Sequence, residues 1–339
     1  MNSVTATDYR GLQHRLRQRL DRIEQEHGLG AALEALRQQQ VDTGFIRDDL
    51  SEVVRHTFRD PADPTRYFAT QFNPARARRF AGAGRTQPPE GIRPIHDNCF
   101  LCAENIEWQQ QGREMGYPVG DASVPYTAWM NPFPLAVGHT ILASDEHRPQ
   151  HWQDGDIDLE TLVGDLLGFS RRLPGWIVFY NGVGAGASIE GHLHVHALAR
   201  TPGLGPMPIE RAAARHRNGA VARGLYPMDF AHWRGALDHV LDEARPWLAR
   251  WQASAGAAAD ATANLMATCS NDGRLDLYFV PRHRRRSRGE GLGGVIGAFE
   301  TMGEIICSTP EERLRIESGA VDYRTIHDLL GHVAVALDD

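Results

Sequence analysis

The sequence predicts an α+β protein, an antiparallel sheet with helices packed on it. Three observations lead there. Residues 192–199, HLHVHALA, alternate in the period of a strand, which puts Leu193, Val195 and Ala197 on one face and His192, His194 and His196 on the other. Around it, short apolar runs at 126–130, 139–143 and 175–180 have strand length, while LETLVGDLLGFSRRL, near 157–171, spaces its apolar residues as a helix does. At the N-terminus, Leu12, Leu16, Leu20 and Ile23 also repeat at helical spacing, and a second helical stretch follows near 30–40.

The remaining segments fall in order. Residues 81–94, with Gly, Pro and Arg, form a loop before a cysteine segment, and TPGLGPMP at 201–208 ends the first unit. Helices are expected over roughly 226–252, where Trp233, Leu237, Val240, Leu241 and Trp247 make a core face. An Ala/Gly-rich stretch at 254–263 then leads to a strand at Leu275–Val280.

Composition limits the function. With 339 residues, 42% hydrophobic and 23% charged, the chain can bury a full core. No run approaches the ~20 apolar residues of a membrane span. The start, MNSVTATDYRGLQHRLRQ, lacks the apolar centre of a secretory leader, so a cytoplasmic location is expected. Four cysteines are too few for a disulfide scaffold; Cys269 and Cys307 read as core residues. All 36 basic residues are arginine, which excludes lysine Schiff-base and P-loop chemistry and leaves phosphate binding to arginine, histidine and backbone donors. The net charge of −7 argues against nucleic-acid binding. RHRRRSR at 282–288 runs against that trend, as a solvated loop or as one closing over a polyphosphate or sugar phosphate.

Three imidazoles on one strand face point to chemistry, because a solvated face carries Ser, Thr, Lys or Glu. Neutral imidazole suits nucleophilic, acid–base and metal-binding work near neutral pH. Just upstream, NGVGAGAS at 181–188 has little side-chain bulk, so backbone N–H groups can converge on an anion. Ser188 adds a hydroxyl. The pairing of this turn with the histidine strand suggests a histidine that attacks or orients a phosphoryl group. Cys99 and Cys102 form a C-x-x-C, a spacing that lets two thiolates reach one tetrahedral ion at about 2.3 Å each. A redox dithiol and two ordinary cysteines are the alternatives.

The His-x-His-x-His pattern followed by two apolar residues resembles the histidine-triad superfamily, and GHTILASDEH at 138–147 looks like that superfamily's preceding strand and turn. CFLCAEN at 99–105, NPFP at 131–134 and YNGVGAGAS at 180–188 resemble the galactose-1-phosphate uridylyltransferase branch, with its relatives the dinucleotide-polyphosphate phosphorylases and GDP-hexose phosphorylases. The resemblance covers residues 65–200 well and 265–310 loosely. It implies two related half-domains, the second lacking the histidines, with GAFETMGEIICS at 297–308 in that second half. The expected division is a helical segment over 1–60, a catalytic histidine-triad half-domain over 61–205, and a helical connection with the second half-domain over 206–339.

The resemblance also implies roles. His194 matches the nucleophile that forms a covalent nucleotidyl-histidine at the α-phosphorus. Asn181, Gly182, Gly186 and Ser188 match the loop that holds the nucleophile and the phosphoryl oxygens, and Arg76 and Arg79, in FNPARARRF, match a basic phosphate-facing segment. One structural Zn2+ is implied on Cys99, Cys102, His147 and His192, with His151 a possible substitute for His147; it would brace the triad strand and leave His194 free to react. One position departs from the branch. His196 stands where the transferases and phosphorylases have Gln, and a histidine there is the mark of hydrolases. The resemblance therefore implies a nucleotidyltransferase or phosphorylase acting on a nucleotide sugar or dinucleoside polyphosphate, with phosphate or a sugar phosphate as acceptor and a homodimer as one possible assembly. A hydrolase using water is the alternative, and a nucleotide-binding module without catalysis is a third reading.

Overall fold

The computed structural model describes residues 6–47, 50–78, 88, 90–109, 113–200, 204–289 and 291–337. Two helices, α1 (Ala6–His27) and α2 (Leu29–Asp42), meet at Gly28, whose φ of 84° only glycine adopts readily. Leu16 and Leu20 of α1 and Leu33 and Leu36 of α2 are buried, whereas Leu12 is exposed. The hairpin β1 (Val54–Arg59) and β2 (Tyr67–Phe72) follows, then α3 (Ala103–Gln109) and the strands β3 (Tyr117–Val119), β4 (Tyr126–Met130) and β5 (Thr140–Ser144). Helix α4 (Leu159–Arg172) starts at Asp158, whose carboxylate accepts from the Thr161 N–H at 2.7 Å. After it come β6 (Trp176–Tyr180), β7 (His194–Ala199), α5 (Pro208–Ala213), β8 (Ala220–Ala222), β9 (Phe230–Gly235), α6 (Leu237–Ala253), β10 (Ala261–Cys269) and β11 (Leu275–His283). The chain closes with α7 (Ala298–Thr301), β12 (Glu304–Cys307), α8 (Pro310–Glu317) and α9 (Tyr323–His332).

Nine strands form one antiparallel sheet in the order β3-β4-β5-β7-β6-β10-β11-β9-β8. That order contains the same unit twice. In the first half a hairpin, β4 and β5, is followed by α4 and a second hairpin, β6 and β7, whose later strand pairs with β5. In the second half β8 and β9, α6, and β10 and β11 repeat the pattern, with β11 beside β9. The halves join where β6 pairs with β10. A small sheet, β1-β2-β12, has β12 parallel to β2.

Both faces of the large sheet are packed. Leu193, Val195, Ala197 and Tyr180 lie in one core with Leu166 of α4, Leu248 of α6 and the N-terminal helices. On the opposite face Phe179, Leu198, Met266 and Tyr278 pack with Ile209 of α5, Phe299 of α7, Ile326 of α9 and the small sheet. His194 and His196 stand on this second face, beyond the apolar packing.

One expected element is corrected, and one strand is added. The stretch 226–252 is not all helix: Phe230–Gly235 is strand β9, with Trp233 on it, and only Leu237–Ala253 is helical. The Ala/Gly-rich stretch 254–263 runs into strand β10, which starts at Ala261 and which the sequence does not show. All nine residues of β10 are buried, so core contacts on both faces replace the alternation that marks a half-exposed strand.

Helix α4 is fixed to the sheet by Asp165, which is 6% exposed and accepts from the Ser123 N–H at 2.7 Å, the Ser123 hydroxyl at 2.5 Å and the Tyr126 hydroxyl at 3.2 Å. Replacing Asp165 with Ala leaves those donors unmet and is expected to lower stability by about 2–4 kcal/mol. Denaturant unfolding measures this; a loss well under 1 kcal/mol would remove Asp165 as the anchor.

Candidate metal centre and histidine site

The turn before β7 carries His192, which is fully buried. Its Nε2–H donates to the Ser144 carbonyl at 2.7 Å, so Nδ1 keeps its lone pair. That nitrogen lies 3.3 Å from Cys99 Sγ and 3.6 Å from Cys102 Sγ, and His147 Nδ1 lies 3.4 Å from Cys102 Sγ. The four donor atoms are all within 4.8 Å of one another. A tetrahedral ion with bonds of about 2.3 Å to sulfur and about 2.0 Å to nitrogen has S···N edges of about 3.5 Å. The donor set and its spacing thus fit a single metal ion, and soft thiolates with imidazoles suit zinc.

The loop around the cysteines is built for this. The Leu101 N–H points at Cys99 Sγ at 3.4 Å, and the Asn105 side chain donates to the carbonyls of Ile95 at 2.8 Å and Cys99 at 2.9 Å. His96 stacks face to face on His147 with ring centres 4.0 Å apart. Burial and the neighbouring Cys99 push the Cys102 thiol up to about 12, which is the reverse of the low thiol pKa that a redox dithiol needs. A dication reverses this balance and deprotonates the thiols. His151 lies outside the cluster; its Nε2 meets Gln153 Oε1 at 3.1 Å and its ring packs on Trp152.

His194 begins β7 and is 2% exposed. Its Nδ1–H donates to the His192 carbonyl at 2.7 Å, which leaves the lone pair on Nε2. Its backbone is held by Gln150, whose Oε1 accepts from the His194 N–H at 2.8 Å and whose amide donates to the carbonyls of Asn181 and His194, both at 3.0 Å. Nothing in the sequence marks Gln150. His139, in the 138–147 segment, carries no sequence signal of its own either. The Leu135 N–H donates to His139 Nδ1 at 3.1 Å, so the proton of neutral His139 is on Nε2, which faces His196 Nδ1 at 3.1 Å. That contact in turn places the His196 proton on Nε2. The His196 ring stacks on Phe179 with centres 4.9 Å apart and meets His194 edge-on at 5.1 Å.

The glycine-rich loop sits between the two halves. The Gly182 carbonyl accepts from the Ala185 N–H at 2.9 Å and the Ala187 N–H at 3.3 Å, and Gly186 has φ 112°. A Cβ on Gly186 would strike Gly297 and the Asn181 side chain; one on Gly182 would strike Thr262 and the Ala263 carbonyl. Asn181 Oδ1 accepts from the Ala298 N–H at 2.8 Å, and Asn264 Nδ2 donates to the Ala185 carbonyl at 2.7 Å. Ser188 is exposed at the end of this loop. Arg76 donates to the Phe133 carbonyl at 2.8 Å, bracing the NPFP turn, while Arg79 lies outside the described residues. The 282–288 run is not uniformly solvated: Arg284 and Arg285 approach Asp154 and Asp260, but Arg282 is buried.

Comparison with known proteins agrees with this architecture. Residues 36–199 match a family model described as a domain of unknown function, DUF4922. No curated protein matches. The fold is α+β, a large antiparallel sheet with packed helices. Among solved structures, the yeast Ap4A phosphorylase Apa2 is similar over 88% of this chain and 97% of its own, with a TM-score of 0.55 and 16% identity. The same yeast protein in complex with Ap4A matches over 88% and 97% with a TM-score of 0.52 and 17% identity, and in complex with AMP over 88% and 96% with 0.50 and 18%. No described helix is long and apolar enough to cross a membrane.

Two outcomes follow for the metal centre. Purified protein is expected to hold about one zinc ion per chain, and loading it near neutral pH releases about two protons as the thiols ionise; elemental analysis and a pH indicator measure both, and Cys99→Ser protein should hold none. In metal-free protein, burial lowers His192 from 6.5 to about 4. The unfolded chain then binds a proton that the folded one refuses, so stability is lost as pH falls from 6.5 towards 4. Thermal unfolding across that window should show the decline, and a flat profile would contradict it.

Proposed function

We propose that this chain is a nucleotidyl-transferring enzyme that cleaves a dinucleoside polyphosphate or nucleotide sugar at the α-phosphorus through His194. The single observation that carries this reading is the hydrogen bond from His194 Nδ1–H to the His192 carbonyl, which leaves Nε2 as the nucleophile on a buried, pre-oriented ring. Nε2 attacks the α-phosphorus, the bond from phosphorus to the bridging oxygen breaks, and the leaving phosphate carries away that oxygen with its electron pair. The nucleotidyl-imidazolium keeps its proton on Nδ1, against the His192 carbonyl. An oxygen of phosphate or a sugar phosphate then attacks the same phosphorus, the N–P bond breaks, and neutral His194 is restored.

The loop from Gly182 to Ser188 receives the phosphoryl group in this reading, although its Ala185 and Ala187 N–H groups donate to the Gly182 carbonyl and its Gly184 N–H donates to Glu190 at 3.1 Å. His196 adds a donor: His139 occupies its Nδ1, so its Nε2–H can do what a glutamine amide does in the related transferases. That arrangement favours phosphate or a sugar phosphate over water as the acceptor. A zinc ion on Cys99, Cys102, His147 and His192 would supply rigidity, bracing the residue whose carbonyl orients His194. The yeast neighbour was solved with Ap4A and with AMP, which makes dinucleoside polyphosphates the first substrates to test. The half-domain over 61–205 carries the chemistry, and 206–339 buttresses it through Asn264 and Ala298.

His194→Ala is expected to lower nucleotidyl transfer by about a thousandfold or more with the melting temperature little changed. His196→Gln is expected to keep transfer to phosphate. Chromatography of the products, with and without phosphate, measures both. Residual activity of His194→Ala near wild type would refute the mechanism; release of free nucleotide at equal rates with and without acceptor would establish the hydrolase.

A further inference from the structure

Arg282, on β11, is 2% exposed. Its Nη1 donates to Asn264 Oδ1 at 2.6 Å and to the Ile296 carbonyl at 2.8 Å, while Nε and Nη2 have no hydrogen-bond partner. Among the described residues no carboxylate forms a salt bridge with it. Glu300 is near enough to feel its charge, but one of its oxygens accepts from the Gly297 N–H at 2.9 Å. A buried cation with two idle donors is costly to fold around, and a neutral side chain of similar size would serve packing better.

The two bonds that Arg282 does make go to both walls of the glycine-rich loop. Asn264, oriented by one of them, donates to the Ala185 carbonyl at 2.7 Å. Ile296, held by the other, leads into Gly297, against which Gly186 packs directly, and Ala298, whose N–H donates to Asn181 Oδ1. A single guanidinium therefore holds the segments on both sides of the loop, with its positive charge one side chain removed from the loop backbone.

We infer that Arg282 is a positioning residue: it holds residues 182–188 in the shape that receives a phosphoryl group and supplies positive charge behind them. The inference rests on the nucleotidyl-transfer reading for the nature of the anion, but its strap role stands on the hydrogen bonds alone. Arginine explains the cost, because the charge is matched when a phosphate enters the loop in front of it.

The test uses full-length, zinc-loaded protein with three variants, Arg282→Lys, Arg282→Met and Asn264→Ala. AMP is the calorimetric probe, and hydrogen exchange of the peptide covering 181–191 is the structural readout. Arg282→Met keeps the volume and should weaken AMP binding about tenfold or more and speed exchange at 182–188. Arg282→Lys keeps the charge and has three donors, so it should bind AMP more tightly and protect the loop better than Arg282→Met. Asn264→Ala keeps the cation but cuts the strap to Ala185, and should speed exchange there; it decides the question if Arg282→Met does not fold. Arg282→Met with wild-type AMP affinity and exchange would overturn the inference, as would Arg282→Lys behaving like Arg282→Met. If wild-type protein binds no AMP, the proposed substrate class fails, and exchange at 182–188 alone decides the strap: unchanged exchange in Arg282→Met or Asn264→Ala overturns it.

Discussion

His192 is the residue on which the site depends, because each of its polar groups has a separate task. Its Nε2–H is fixed by the Ser144 carbonyl, its Nδ1 faces the two thiols, and its own carbonyl accepts from His194 Nδ1. The first contact sets the tautomer that the second needs, and the third sets the tautomer of the next histidine. A metal bound at Cys99, Cys102, His147 and His192 would therefore act on His194 through one residue of backbone. The strand period does the rest, carrying His194 and His196 to the same face.

The second half of the chain has no such histidines, yet it shapes the site. It repeats the hairpin–helix–hairpin unit, pairs β10 with β6, and so brings Asn264 and Arg282 beside the loop that follows β6. With α7 it closes over Asn181 and Gly186 from the other side. Glycine is required at 182 and 186 because neighbouring backbone and side chains occupy the space a Cβ would fill. The close approach of the two repeated units packs the glycine-rich segment against Thr262, Ala263 and Gly297.

The first half was the more legible in the sequence. Alternation showed β7, apolar runs showed β4, β5 and β6, and helical spacing showed α1 and α4. The C-x-x-C spacing marked Cys99 and Cys102, the family resemblance implied His147 and His192, and the structure brings the four into one cluster. The rest was hidden for physical reasons. Strand β10, ATANLMATC, is buried on both faces and has small residues where a half-exposed strand alternates, so it carries no strand period. Strand β9 is short and runs straight into α6, so its apolar residues merge with the helical pattern. Gln150 acts through a single side-chain amide in a turn, which leaves no period to read. Arg282 is the first member of an arginine run in which Arg284 is half-buried and Arg285, Arg286 and Arg288 are exposed, and composition cannot separate a buried cation from such neighbours.

The central claim is that His194 becomes covalently nucleotidylated. The most direct measurement is intact-protein mass spectrometry, quenched without acid, after offering zinc-loaded protein a dinucleoside tetraphosphate or a nucleotide sugar with no phosphate or sugar phosphate present. The account predicts one nucleoside monophosphate adduct per chain, located on His194 and discharged on adding phosphate or a sugar phosphate. Turnover with no adduct on His194 at any time during the reaction would contradict it.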